Sequence, residues 1–276
     1  MTKHEYAEEV CKYLHKAGYE TVIQDNYRNN GALVAIQLKS TPETVVKPVF
    51  TIGDEDMKPE EFANHILQFV PADIPTDKLE SIIRDKEQVL SRSSYILVNS
   101  KLNASRLSLV RRQINKTLEI QYKIDIGDVL PDAKVSLEQK HLDILGINEE
   151  ELYIRAYENT MERFPYEIST ISEMVGIQDL LPDELPIYVL TNINRVYGAG
   201  TILYKGMKEV LEEKVGEDTI IIPSSIHEVI VLPTYLGEKE SITDMIREVN
   251  RTVVAPEEVL SDRPYELYSD GMLFEL

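Results

Sequence analysis

The stretch IIIPSSIHEVIVLP, residues 220–233, places two hydroxyls beside an imidazole and a carboxylate. These are the side chains of a nucleophile, a general base and an acid that orients the base. If Ile226 to Leu232 is a strand, alternate side chains point to opposite faces, so His227 and Glu228 do not form one acid–base pair. Ser225 and His227 then share a face, roughly 6–7 Å apart by the strand rise. A hydrolase built on them needs a carboxylate from elsewhere, and Glu257 or Asp262 are the candidates. No GxSxG elbow occurs in the chain to expose such a serine. The competing reading is a Pro-Ser-Ser turn whose hydroxyls satisfy backbone groups, with His227 half buried on a sheet.

A second candidate is NINRVYGAGTILYKG, residues 192–206, in which Gly198 and Gly200 sit between an expected strand and an expected helix. Glycines there would let the backbone approach an anion or small molecule at a helix N-terminus. The stretch lacks GxGxxG and the Walker GK[ST], and glycine relief of a tight connection explains it better. No metal or cofactor is expected. The five histidines, His4, His15, His65, His141 and His227, are scattered without HExxH spacing, and the single cysteine, Cys11, lies on an apolar helical stripe.

The elements that must carry these residues follow from hydrophobic period. Tyr6, Val10, Leu14 and Ala17 recur at helical steps, so a helix is expected from Lys3 to Lys16, ending at Gly18. Residues 19–52 hold three β-rich segments separated by Asn30-Gly31 and by STPE, which predicts an antiparallel meander. Helical spacing resumes through Phe62 and Ile66, and a further helix is expected between Thr76 and Leu90. SYILVNS and TLEIQYKIDIG read as strands, and Leu102 to Arg112 as a short helix or loop. Asn148 caps a helix with Glu149, Glu150 and Glu151 in its first turn. The C-terminal order is strand Ile187–Leu190, helix Thr201–Val215, strands Thr219–Ile222 and Glu228–Leu232, then helix Ser241–Val249. A right-handed crossover with parallel strands, followed by an antiparallel partner, is expected there.

The fold expected is therefore α+β: an N-terminal helix plus antiparallel meander, a helical middle, and a C-terminal strand-helix-strand-strand-helix unit with a mixed sheet. The expected parts are a near-neutral 1–125, a helical connector 126–182 and an acidic 183–276, or one continuous domain.

Charge narrows the function classes. The 276 residues carry a net charge of -19. Residues 1–125 hold 17 Lys+Arg against 18 Asp+Glu, whereas 126–276 hold 12 against 30. Such an excess repels nucleic acid and anionic membranes, so direct nucleic-acid or membrane binding is not expected. A protein partner with a basic surface is. One basic run, with Lys101, Arg106, Arg111, Arg112, Lys116 and Lys123, reads either as a solvated face and internal partner for the acids or as a phosphate-binding patch. No apolar run approaches the roughly 18 residues of a membrane helix, and the expected location is cytoplasmic.

The segment from IYVLTNINRVYGAGTILYKG through PSSIHEVIVLP to MIREVNRTVVAPEEVLSD, with LGINEEELYIRAYENTMERFP upstream, resembles the bacterial family grouped as domain of unknown function 5688, best over residues 145–265. The resemblance implies a cytoplasmic bacterial protein of the kind carried on mobile elements, and it implies no particular activity; an anti-defence role is suggested by the charge alone. Its signature positions here are Asn192, Gly198, Pro223, Ser224, Ser225, His227, Glu228, Pro256, Glu257 and Asp262. Together with Gly200 they are the candidates for a ligand or partner site. Three readings result: a non-enzymatic acidic protein-binding module, a nucleic-acid mimic that inhibits a DNA- or RNA-binding defence enzyme, and a hydrolase using Ser225 and His227. Sequence leaves the oligomeric state open.

Overall fold

In the computed structural model the residues described are 1–39, 49–52, 57–69, 76–129, 133–174 and 186–276. The chain opens with α1 (Lys3–Lys16), where Thr2 and Glu5 satisfy each other's backbone N–H groups as a capping box. Strands β1 (Thr21–Arg28), β2 (Gly31–Leu38) and β3 (Val49–Thr51) form the expected antiparallel meander. Its first turn is Asn29–Asn30, one residue before the expected Asn30-Gly31, with Arg28 opposite Gly31 and Asn30 at φ 62°, a conformation asparagine tolerates better than most residues. The STPE turn lies outside the described residues. Helix α2 (Pro59–Phe69) joins α1 over the meander, and Tyr6, Val10, Leu14, Ile36, Phe62 and Ile66 make one apolar cluster that includes Cys11.

The single helix expected from Thr76 to Leu90 is two, α3 (Thr76–Ile83) and α4 (Lys86–Arg92). The break falls at Asp85, whose extended backbone lets its carboxylate accept from Gln88 N–H and start a new helix. A second sheet follows from β4 (Ser93–Asn99), β5 (Arg111–Gln113), β6 (Leu118–Asp125) and β7 (Lys134–Ser136). Strand β6 is central, with β4 on one side and β5 and β7 sharing the other, all antiparallel. The stretch 102–112 is thus turns leading into a short strand, not a helix.

Helix α5 (Gln139–Leu145) precedes α6 (Glu149–Arg163), which Asn148 caps by accepting from Glu151 N–H as expected. The third sheet contains β8 (Tyr166–Thr170), β9 (Tyr188–Asn192), β10 (Thr219–Ile222), β11 (Val229–Pro233), β12 (Tyr265–Leu267) and β13 (Leu273–Glu275). Their order is β13-β12-β10-β11-β9-β8. β9 and β10 do run parallel to each other, as a crossover requires, but β11 lies between them. Every hydrogen-bonded pair in this sheet is therefore antiparallel rather than mixed. The expected helix 201–215 is a 3-10 helix, Gly198–Leu203, followed by α8 (Met207–Lys214), divided where Gly206 takes φ +82°. α7 is the four-residue Ile171–Met174, and α9 spans Lys239–Thr252.

One large core, including Leu97, Ile120, Tyr122, Leu152, Leu190, Val231 and Tyr265, unites the second and third sheets with α6. Strand alternation explains the smaller cluster behind it: Ile221 faces the large core, while Ile220 and Ile222 turn to Ile242 and Ile246 of α9. Fully buried Tyr265 joins the two sheets through its hydrogen bond with Thr117 and also donates to Ser261, and burial pushes its hydroxyl up to about 12. The meander is pinned to this body by asparagines. Asn29 and Asn30 donate to the carbonyls of Glu257 and Pro256, and Asn103 donates to both their side-chain oxygens.

Candidate functional site

Residues 223–228 are a turn, not the start of a strand, and β11 begins only at Val229. Ser225, buried, accepts a hydrogen bond at Oγ from the His227 N–H at 3.0 Å, while its own N–H donates to the Glu228 carbonyl at 3.2 Å. Ser224 Oγ lies 3.4 Å from Glu228 Oε1. The hydroxyls thus close the turn on themselves.

His227 turns away from both serines. Its Nδ1 accepts from the Tyr197 N–H at 3.1 Å, and its Nε2 lies 3.4 Å from Glu258 Oε1. Its ring stacks on the Tyr197 ring, 5.5 Å between centroids at 21°. Accepting at Nδ1 requires that nitrogen to be unprotonated, which leaves Nε2–H to face the carboxylate. The backbone around the ring is also held: Thr191 Oγ1 donates to the His227 carbonyl, and one residue before it Ile226 N–H donates to the Glu258 carbonyl.

Tyr197 reaches this place through an unusual connection. Asn192, at the end of β9, accepts from Asn194 N–H and donates to the Val196 carbonyl, closing a loop in which Arg195 and Tyr197 both take positive φ. Gly198 then enters a space with no room for a side chain. A Cβ there would lie 2.2 Å from Thr191 Oγ1 and 2.6 Å from the His227 carbonyl oxygen. Gly200 is close to the Tyr95 ring, whose hydroxyl donates to the Gly200 carbonyl at 2.9 Å. Both glycines therefore serve close packing. Beside them is a cavity of about 10 Å³, the space of roughly one water, lined in part by Tyr95, Lys134, Asn192, Thr201 and Tyr204. Burial pushes the Tyr95 hydroxyl well up and the Tyr204 hydroxyl up, and burial lowers the Lys134 ammonium against the opposing pull of Asp125. Lys134 Nζ sits over the Phe164 and Tyr197 rings.

A model described as "Family of unknown function (DUF5688)" matches residues 3–269. The chain belongs to the DUF5688 family. That match extends well beyond residues 145–265, to the meander and the second sheet. No curated protein and no solved structure matches it.

Within this DUF5688 chain, Asn192, Gly198, Gly200, Ser224, Ser225, His227 and Glu228 gather around one turn and one 3-10 helix. Glu257 and Asp262 do not join them through their carboxylates. The Glu257 carbonyl receives Asn29, and the Asp262 carboxylate receives Asn250 of α9. The partner of His227 is Glu258, one residue from the expected candidate. Tyr197, Thr191 and Lys134 escape sequence reasoning as well: their roles depend on a left-handed loop and a cross-strand contact that no local spacing records. Among the described residues no group of three His, Cys, Asp or Glu side chains is placed to hold a metal ion. No helix among them is long and apolar enough to cross a membrane.

Proposed function

We infer that this chain is a binding module rather than an enzyme, and that its acidic C-terminal part presents a negative surface to a basic partner protein. The observation that supports this is one exposed corner of the third sheet. Thr234 N–H bonds the Asp218 carbonyl and Pro233 pairs with Thr219, so the turn after α8 and the turn before α9 lie together. Exposed Glu217 and Asp218 lie in the one turn and exposed Glu238 and Glu240 follow the other, with Lys239 between them, on the segments that carry Tyr235, which is 77% exposed, and Leu236. An exposed aromatic residue on turns with an excess of carboxylates has the composition of a protein-recognition patch, with tyrosine as anchor and carboxylates for steering. The engagement of Ser225 and His227 with backbone groups supports a structural role for PSSIHE over the hydrolase reading, since a serine nucleophile needs its base within hydrogen-bond reach.

The test is affinity capture from host lysate with wild-type protein and with a variant carrying Glu217→Gln, Asp218→Asn, Tyr235→Ala and Glu238→Gln. The expected result is a basic protein retained by the wild type at low salt, released at high salt, and absent from the variant. A mimic of nucleic acid would additionally be displaced from that protein by DNA or RNA.

A further inference from the structure

We propose that the groove between the Ser100–Ala104 turns and β5 binds a small phosphorylated ligand, held by Lys101, Arg111 and Lys116. This site is separate from the acidic corner and does not depend on it. The groove opens to about 820 Å³, within the size range of small-molecule sites.

Half of the basic run is engaged elsewhere. Arg112 grips Glu149 and Glu150 and lies over the Tyr153 ring, Arg106 donates to Gln121, and Lys123 donates to Ser136. Lys101 and Lys116 have no ion-pair partner among the described residues, in a chain with 48 carboxylate side chains and 29 Lys+Arg. Arg111 does have one: its Nη1 lies 3.7 Å from Glu119 Oε2 at the groove floor. That carboxylate is only 2% exposed and accepts from Gln121 Nε2, so Arg111 is held from behind.

The walls are built rigidly. Asn99 Oδ1 accepts from the N–H groups of Lys101 and Leu102, fixing one turn, and Asn99 Nδ2 donates to the Leu260 carbonyl. Asn115 Oδ1 accepts from Thr117 and Leu118 N–H groups, fixing the other, and its Nδ2 donates to the Leu273 carbonyl. Each asparagine-locked turn carries one lysine to the rim. Between them, the β5–β6 register sets Gln113 opposite Glu119 and Arg111 opposite Gln121, so these side chains share one face. Three cations against one buried carboxylate suit a phosphate dianion, with the guanidinium as fork and the lysines as point charges. The overall charge of -19 disfavours a long polyanion and leaves a small phosphate ester as the occupant.

The test is isothermal titration calorimetry of the full chain with inorganic pyrophosphate at low and high salt. Saturable binding that weakens with salt is expected, with loss of about tenfold or more in Arg111→Gln and in the Lys101→Gln/Lys116→Gln double variant, and none in Lys12→Gln on α1. The double variant changes two exposed side chains and keeps the test valid if Arg111→Gln fails to fold. Absence of saturable binding at low salt, or equal affinity in the double variant, would overturn the proposal.

Discussion

The Tyr197 N–H donates to Nδ1 of His227 at 3.1 Å, joining the loop after β9 to the turn before β11. A ring nitrogen that accepts from the backbone here takes the place of a carbonyl, and the two rings stack beside that bond. His227→Ala should therefore destabilise the fold by about 1–3 kcal/mol, the cost of leaving a half-buried N–H without its acceptor. Urea denaturation reads this directly. Unchanged stability would show that the clamp contributes nothing.

Gly198→Ala should cost more, about 3 kcal/mol or beyond, because the added methyl meets backbone atoms of Asn192 and His227 at 2.6 Å. Gly200→Ala should be milder, since its nearest neighbour is a ring carbon of Tyr95 at 3.0 Å. A thermal melt of both variants should show that order.

A half-buried and a buried carboxyl should give opposite pH signatures. Burial raises Glu149, but hydrogen bonds from Arg112 and Tyr122 outweigh it and hold the carboxyl below its ordinary 4.5. Its contribution is full above 4.5 and is lost as the pH falls below that value. Glu149→Gln should be destabilised at neutral pH and converge with the wild type in acid.

Burial raises Glu119 above 4.5, and the opposing interactions with Gln121 and Arg111 do not cancel it. The fold then binds the proton more tightly than the unfolded chain does, so this contribution is full below 4.5 and is lost as the pH rises through the folded value. Glu119→Gln should melt above the wild type at neutral pH, with the gap closing toward 4.5. A variant that melts lower at neutral pH would contradict the assignment.

Local signals carried much of the architecture. The α1 stripe, the asparagine turn of the meander, the strands SYILVNS and TLEIQYKIDIG and the Asn148 cap are all read from neighbours a few residues apart. The insertion of β11 between β9 and β10 is not, because antiparallel return and parallel crossover leave the same apolar strands in the sequence. At the candidate site, Ser225 and His227 were legible as neighbours but their partners were not. Spacing suggested a hydroxyl facing an imidazole, whereas the turn at Pro223 rotates Ser225 onto a backbone N–H and sends His227 to Tyr197 and Glu258. The two rim lysines were visible as part of a basic run. What distinguished them from Arg112 and Lys123 was the fold, which supplied partners to those two.

The most direct test of the acidic-corner account is capture of the partner by wild-type protein and by the Glu217→Gln/Asp218→Asn/Tyr235→Ala/Glu238→Gln variant, compared at low and high salt. These side chains are exposed, so the variant should fold and melt as the wild type does. The account predicts a basic partner that the wild type retains at low salt and that both high salt and the variant release. Retention of the same partner by the variant, undiminished by salt, would contradict it.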